Sequence, residues 1–295
     1  MALTINTNIS SIVAQRNLSQ ATKSLNTAIE RMTTGYKINH AADNAAGYSI
    51  ATNWQTQLSS LDVAADNAAT GADMLTTLED TYSLVTSHLQ RVRDLTEQAA
   101  NGTYGSQSLK AIQSEITARL EEVDRISANC EFNGLKMMDG SMNTISLQVG
   151  LYSGADSRID LKDDLFKEAN IATLFTDYGG VADADIATVA QKCAGVDADG
   201  NKVGKQSEML DVIDKVINEI SDRVTTLGAA QNRIESAVES IGVQSENITS
   251  SLSTLRDADV AEESSNYIKS QILQQAAATL LSTANQTPSI ALNLL

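Results

Sequence analysis

Proline, cysteine and aromatic residues are all scarce in this 295-residue chain, and each shortage narrows the range of folds. The single proline is Pro288, so no residue before it forces a helix to end. Aromatic residues make up 4% of the chain, which favours thin seams between helices over a thick globular core. The two cysteines, Cys130 and Cys193, form no Cys-x-x-Cys pair and no disulfide framework. The sequence leaves open whether they are bonded to each other.

Positive charge and long apolar runs are lacking as well. Lys and Arg number 21 against 37 Asp and Glu, a net charge of -16. Nucleic acid and anionic membranes attract basic patches, so we expect neither as a partner.

No stretch approaches the roughly 18 apolar residues that would span a bilayer. The N-terminal residues "MALTINTNIS" have no basic start or apolar run, so the protein is expected to stay inside or to leave by a route that reads no general secretory signal.

Signatures of catalysis and of metal binding are also missing. His40 and His88 do not have the paired spacing of a zinc-binding helix, and no nucleophile elbow, P-loop or dinucleotide-binding glycine pattern is present. Residues 195–206 resemble a calcium loop, but Gly195 and Gln206 stand at the first and twelfth positions, where carboxylates are needed. We therefore predict a protein that is not an enzyme and has no cofactor or metal.

Heptad spacing is the strongest signal that the sequence does contain. Apolar residues recur at alternating steps of three and four in several long segments, the pattern of a coiled-coil seam. In the longest of these, only Gln231 and Ser245 are polar. The seams occupy residues 75–99, 109–126 and 210–255. They predict two antiparallel helices, broken at "NGTYGS", and one long C-terminal helix that packs on them.

The middle of the chain differs in pattern from these segments. Residues 144–161 alternate apolar and polar side chains around a Ser-Gly-Ala-Asp turn, which predicts a β-hairpin. Residues 167–205 mix short helical pieces with glycines, and we expect this segment to be exposed, to carry no seam residues and to tolerate replacement.

The two ends of the chain carry weaker heptads. Leu18, Leu25 and Met32 share one stripe with small residues, and Leu273 and Leu280 share another. Such seams offer little apolar area to offset the entropy of ordering a helix. We expect both ends to be loose in a monomer and ordered when many copies pack together.

These patterns predict a mainly α fold: a long antiparallel coiled-coil helical bundle formed by both chain halves, with a small β-hairpin region and a short inserted outer segment. The predicted divisions are terminal helices at 1–44 and 255–295, a helical body at 45–166 and 206–254, and an outer region at 167–205.

Several blocks in this order resemble bacterial flagellins, the subunits of the flagellar filament. The blocks are "INTN" at 5–8, "AIERMTTGYKINHAADNAAGYSIA" at 28–51, "LQRVRDLTEQAANGT" at 89–103, "FNGLKMMDG" at 132–140, "LGAAQNRIES" at 227–236 and "QILQQAAATLLSTANQTPSIALNLL" at 271–295. The resemblance covers roughly residues 1–166 and 206–295. The chain departs from the usual pattern at Tyr36 and Lys37, where the family has Leu and Arg.

The resemblance implies a homopolymer that is exported unfolded by the flagellar type III apparatus and located, as a secreted protein, in the bacterial flagellum. An export chaperone and the cap and junction proteins would be its other partners. The terminal helices would form the filament core. The implied assembly residues are Leu18, Leu25, Met32, Leu273, Leu280, Leu292, Leu294 and Leu295. A hook–filament junction protein shares such terminal patterns, and a generic coiled-coil scaffold would share the heptads, so both are alternatives.

The block at 89–103 raises a separate expectation. In many flagellins an arginine and a leucine of this block, with a glutamate on the following helix, are bound by the host sensor Toll-like receptor 5. The implied receptor-binding residues are Gln90, Arg91, Asp94, Leu95 and Glu115. Their spacing puts Arg91 and Leu95 on one helix face beside the seam. A solvated face or a packing face between subunits would carry the same spacing.

Overall fold

A computed structural model describes residues 7–142, 144–182, 185–197, 201–204 and 206–292, apart from the side chains of residue 163 and residues 287–292. Its contacts form two compact units, one up to Ser59 and from Ser245 onward, the other Ser60–Gln244. These limits lie further into the chain than the predicted ones at 44 and 255, and the predicted functional division stays a prediction. Within the described residues, no helix is long and apolar enough to cross a membrane.

Three helices form the body of the second unit, as the heptads predict. They are α2 (Ala45–Ala100), α3 (Ser106–Asn129) and α6 (Gln206–Arg256), of which α2 and α6 also contribute to the first unit. The break between α2 and α3 falls at the predicted "NGTYGS". The fully buried seam residues are Leu75, Leu78, Tyr82, Val85, Leu89, Val92, Thr96 and Ala99 on α2, and Leu109, Ile116, Leu120 and Val123 on α3.

The buried stripe of α6 differs from the predicted seam at alternate positions. Five predicted positions are buried: Ile213, Ile220, Leu227, Ile234 and Ile241. The positions between them are filled one residue earlier than predicted, by Met209, Val216, Arg223 and Ala230. The reason is that residues 163–197 cover this side of α6, as the hydrogen bonds of Gln206 and Arg223 to that segment show.

Two short hairpins follow α3. Strands β3 (Ile145–Gln148) and β4 (Arg158–Leu161) pair antiparallel, which confirms the predicted hairpin. Strands β1 (Glu131–Phe132) and β2 (Leu135–Lys136) form a second, unpredicted hairpin. Its turn is Asn133–Gly134, with φ of 50° and 79°. Asn-Gly is the commonest pair in two-residue hairpin turns because both positions need positive φ.

The described residues 167–182 and 185–197 pack many of their side chains into the core of the second unit, so the expectation that residues 167–205 are exposed and free of core residues is wrong for them. Asn201, Lys202 and Val203 are exposed, as expected. The segment contains α4 (Ile171–Thr173), a π-helical turn (Leu174–Tyr178) and α5 (Ile186–Ala194). Its fully buried side chains are Ala169, Ile171, Leu174, Phe175, Val189, Ala190, Cys193 and Ala194. Most of these apolar residues lie in short helical pieces that pack against the long helices. Pieces this short have no apolar repeat, so the sequence does not show that they are buried.

The side chain of Gln206, at the start of α6, links the end of α5 to the end of α2. Its amide nitrogen donates to the carbonyls of Ala99, at 3.5 Å, and Ala194, at 3.3 Å. Gly195, with φ of 66°, follows α5, and a Cβ there would lie 1.8 Å from that same amide nitrogen. Only glycine therefore allows the buried Gln206 side chain to join the ends of α2 and α5.

The first unit contains an antiparallel pair of terminal helices, α1 (Ile9–Thr34) and α7 (Val260–Leu292). Asn8 caps α1 through Ser11 N. The amide of Asn8 also donates to the Ala284 carbonyl at 2.7 Å, and the Gln274 amide donates to Thr22 at 3.2 Å. The two terminal helices, which the resemblance implies form the filament core, therefore pair with each other in the structure.

A backbone clasp joins the two segments that connect these helices to α2 and α6. Lys37 N donates to the Arg256 carbonyl at 2.7 Å, and Ala258 N donates to the Gly35 carbonyl at 2.8 Å. The Arg256 guanidinium lies 4.1 Å from the centre of the Tyr36 ring, within cation–π range. Tyr36 and Lys37, the two departures from the flagellin pattern, thus both contact the end of α6.

Candidate assembly and recognition surfaces

Small side chains fill the interface between α1 and α7. Ala14, Ala21 and Ala28 are buried on α1, and Ser270 and Ala277 are buried on α7. Their spacing of seven residues matches a heptad, and their size lets the two backbones approach closely. The sequence pattern found this heptad stripe and assigned its larger members to assembly of the filament core.

The predicted assembly residues lie beside this interface instead of within it. Leu18 and Leu25 are half-buried. Met32, Leu273 and Leu280 are exposed, Leu280 by 64%. The side chain of Leu292 and the whole of Leu294 and Leu295 lie outside the described residues. Whether any of these residues acts in assembly stays a prediction.

Further bulky apolar side chains are exposed on the same two helices. Ile9 and Ile12 are 68% and 58% exposed on α1, and Ile268 and Ile272 are 54% and 60% exposed on α7. The heptad analysis missed them because they lie off its stripe. A scan for β-branched residues on the opposite helix faces would have found them. The pair thus buries small residues and exposes large ones, the reverse of an ordinary monomer core.

One buried ion pair lies within the α1–α7 interface. Arg31 Nη1 is 3.0 Å from Glu263 Oε1, and the Glu263 side chain is only 9% exposed. Both residues border a groove of about 720 Å³ between the helices. The groove is lined by polar and small side chains, among them Asn17, Ser24 and Lys269. A buried carboxylate needs such a partner, so the pair fixes the register of the two helices.

The candidate receptor patch lies on α2 and α3. Gln90, Arg91 and Asp94 are exposed on α2, and Glu115 is half-exposed on α3. Arg91 donates from Nε and Nη2 to Glu115 Oε1, at 3.0 and 2.8 Å. The structure therefore brings four of the five predicted residues to one surface, where the arginine is already paired with its glutamate.

Leu95 does not belong to that surface, so its predicted place on the exposed face is wrong. It is 2% exposed and part of the main hydrophobic core. Leu95 follows Val92 by three residues, which places it at the buried edge of the seam. Arg93, the second arginine of this block, points to α6 and holds Asp214 at 2.6 and 3.2 Å. The two arginines thus link α2 to two different helices.

No group of three or more His, Cys, Asp or Glu side chains that could hold a metal ion occurs among the residues that the structure describes. Both cysteines are free and buried. Burial raises the pKa of the Cys193 thiol to about 12, which keeps it protonated and unreactive.

Comparison with known proteins decides which helical family has this arrangement. Residues 5–143 match the family model for the bacterial flagellin N-terminal helical region, and residues 210–295 match that for the C-terminal helical region. A flagellin from Xenorhabdus nematophila is 37% identical over the full length of both chains. The chain belongs to the bacterial flagellin family. A flagellin from Serratia marcescens, also 37% identical, is likewise covered over its full length.

Membership in the flagellin family makes this chain a structural subunit of the bacterial flagellar filament and not an enzyme. Among solved structures, FlgL from Bacillus cereus has a TM-score of 0.52 at 18% identity, over 68% of this chain and 99% of that one. An identity this low reports only a shared fold. It does not favour the junction-protein alternative over the full-length flagellin matches.

Proposed function

We propose that this flagellin polymerises into a helical homopolymer through the faces of α1 and α7 that the pair leaves exposed. The observation that carries the proposal is the placement of large apolar residues outside the pair and small ones inside it. Ile268, Ile272 and Leu280 are each more than half exposed. A second copy is the occupant that would cover these faces repeatedly along a polymer.

The energy of such burial is comparable with the cost of association. Fully burying an Ile or Leu side chain contributes about 1.5–3 kcal/mol. Six exposed side chains of this kind on α1 and α7 would supply of order 10 kcal/mol before the costs of association, which are of similar size. They are Ile9, Ile12, Ile268, Ile272, Leu273 and Leu280. We infer that single copies associate weakly and that repeated contacts in a lattice make the polymer stable.

The test is Leu280→Ser, with Tyr152→Ser as the matched control. Tyr152 is 68% exposed in the β3–β4 connection of the other unit. Purified protein is seeded and polymer is measured by pelleting. Leu280→Ser should raise the concentration needed for polymer, and removal of residues 289–295 should abolish polymerisation while the helical body stays folded. Normal growth of both altered chains would contradict the assignment of α1 and α7 to the core.

We further propose that the chain leaves the cell unfolded through the flagellar type III apparatus and becomes part of the secreted filament. An export chaperone and the cap and junction proteins would be its partners on that route. The support is membership in the flagellin family and an α1–α7 pair with little apolar burial of its own. Deletion of the export apparatus should retain the full-length chain inside the cell, and its appearance outside would refute the route.

A second proposed activity is binding of the monomer to host Toll-like receptor 5 through Gln90, Arg91, Asp94 and Glu115. The observation that favours it is the exposed Arg91–Glu115 pair, since arginine, with its planar fork of donors, is enriched among interface hot spots. Leu95 would act from beneath by holding α2 in place. Glu97, exposed nearby, adds negative charge and would weaken the contact.

Arg91→Ala tests this activity, with Arg125→Ala as its control. Arg125 is an exposed arginine of α3 that pairs with Glu122 on its own helix. Titration of the monomer with the receptor ectodomain should show a loss of about 2 kcal/mol or more for Arg91→Ala. Equal affinities of the two variants would leave a solvated face or a packing face between subunits as the better account of Arg91.

A further inference from the structure

Two Asn-Gly pairs lie on the surface of the second unit in different turns. Asn101–Gly102 connects α2 to α3, and Asn133–Gly134 connects β1 to β2. Both asparagines are exposed. Asn-Gly is the dipeptide in which the backbone nitrogen of the second residue most easily reaches the side-chain amide carbon of the first, since glycine has no side chain to obstruct it. The two sites therefore share their local chemistry and differ in their backbone.

Asn101 has its side chain folded back over the following peptide bonds. Its Oδ1 accepts a hydrogen bond from Thr103 N at 3.3 Å, the arrangement of an Asx turn. Accepting this hydrogen bond withdraws electrons from the side-chain amide carbonyl, which makes Cγ more open to attack by a nitrogen. A Cβ built on Gly102 would meet no atom within 4 Å, so solvent has access to this side of the turn.

Asn133 is held in the opposite way. Its φ is 50°, in the left-handed region, and it forms half of a tight turn between paired strands. In that conformation the next backbone nitrogen points away from Cβ, so it cannot approach the side-chain carbon. The hairpin beyond the turn is closed by Met137 N, which donates to the Cys130 carbonyl at 3.0 Å. Asn133 can react only if the hairpin opens.

We propose that Asn101 is a site of spontaneous deamidation in the folded protein and that Asn133 is protected. The Gly102 nitrogen loses its proton and attacks Asn101 Cγ. The new C–N bond closes a five-membered succinimide, and the side-chain nitrogen leaves as ammonia. Water then opens the ring at either carbonyl and yields aspartate or isoaspartate. The reaction needs no other reagent, and it does not depend on the proposed functions above.

The product changes the end of α2 in two ways. A new carboxylate stands just after Ala100, where the helix C-terminus already carries partial negative charge, so the last turn of α2 loses stability. Isoaspartate also adds one methylene to the backbone of a connection that runs only from residue 101 to residue 105. The hydrogen bond of 2.9 Å from the Gln98 amide to the Tyr104 hydroxyl spans this turn and would be strained.

The experiment follows both asparagines in the same sample of full-length protein. The protein is incubated in ¹⁸O-labelled water at mildly alkaline pH, digested, and analysed for labelled aspartate and isoaspartate at each site. Asn101 should convert about tenfold faster than Asn133, the ratio expected when one site must first open a backbone hydrogen bond. In denaturant the two rates should become equal, because the dipeptides are the same.

Two variants separate this reaction from a general effect of the turn. Gly102→Ala fits the open space without a positive φ and should slow conversion of Asn101 while leaving the fold and Asn133 unchanged. Asn101→Asp carries the product charge and should lower the protection of α2 residues 97–100 from hydrogen exchange. Equal native rates at the two asparagines, faster conversion of Asn133, or no effect of Gly102→Ala would overturn the proposal.

Discussion

Replacement of Arg223 tests how firmly residues 163–178 belong to the core. Arg223 projects from α6 with its side chain only 3% exposed. It contacts Glu219 at 3.0 Å and donates to the carbonyls of Lys167 and Glu168, each at 3.2 Å. Its guanidinium also lies 5.4 Å from the centre of the Tyr178 ring. One side chain thus holds the covering segment at several points.

Arg223→Ala should lower the free energy of unfolding by about 3–5 kcal/mol, the usual cost of removing one partner of a buried ion pair. The lower end is expected, since the Glu219 carboxylate is 23% exposed and keeps some hydration. Arg223→Met keeps an apolar stem in place but loses the same ion pair and the same two hydrogen bonds to Lys167 and Glu168, so it should be less destabilising than Arg223→Ala by the packing of that stem. The difference in unfolding free energy between the two variants therefore separates packing of the side-chain stem from loss of its polar contacts.

The assay is urea unfolding followed by far-ultraviolet circular dichroism, with Arg125→Ala as control. Arg125 forms a similar pair with Glu122, but its side chain is 63% exposed, so its loss should cost less than about 1 kcal/mol. For a slope of about 2 kcal/mol per molar urea, Arg223→Ala should move the midpoint by about 1.5–2.5 M. Equal shifts for the two variants would refute burial of the guanidinium under residues 163–178.

Three further outcomes follow from the same core. Burial raises the pKa of Asp124, whose carboxylate accepts a hydrogen bond from Ile171 N at 2.7 Å. Because the folded pKa lies above the unfolded one, the carboxylate costs stability as the pH rises through that interval. The stabilisation by Asp124→Asn, measured by urea midpoints, should therefore grow between about pH 3 and pH 7. Cys193, with its pKa raised to about 12, should react with a thiol reagent only after unfolding, and rapid native labelling would contradict its burial. A Gly/Ser linker in place of residues 167–205 should expose the core and unfold the second unit, detected as loss of cooperative melting.

The long elements and the family could be predicted from sequence because each depends on a repeated signal. The seam of α2 from Leu75 to Ala99 repeats many times, so local exceptions do not hide it. The burial of Phe175 and Arg223 has no such signal. A phenylalanine in a short irregular segment and an arginine inside a heptad acquire their environment only when residues distant in sequence cover them.

The candidate sites show the same limit of sequence-based prediction at the level of single residues. The spacing of Arg91 and Leu95 correctly puts them within one turn of each other, but a helix face has edges that spacing alone does not locate. Leu95 falls just inside the core and Arg91 just outside it. At the chain ends, the heptad stripe includes the alanines that the α1–α7 pair buries, while Leu280 lies outside that interface and its role in assembly stays a prediction.

The pairing of α1 with α7 has a consequence for the order of events during synthesis. Asn8 contacts Ala284 across 276 residues of sequence, so the first helix to leave the ribosome finds its partner only when almost the whole chain has been made. A chain interrupted before Val260 leaves α1 without any partner in its own molecule. Completion of the first unit therefore requires that α7 has been made, and contacts this distant in sequence form slowly. An incomplete subunit would be unable to present a paired end to a growing polymer.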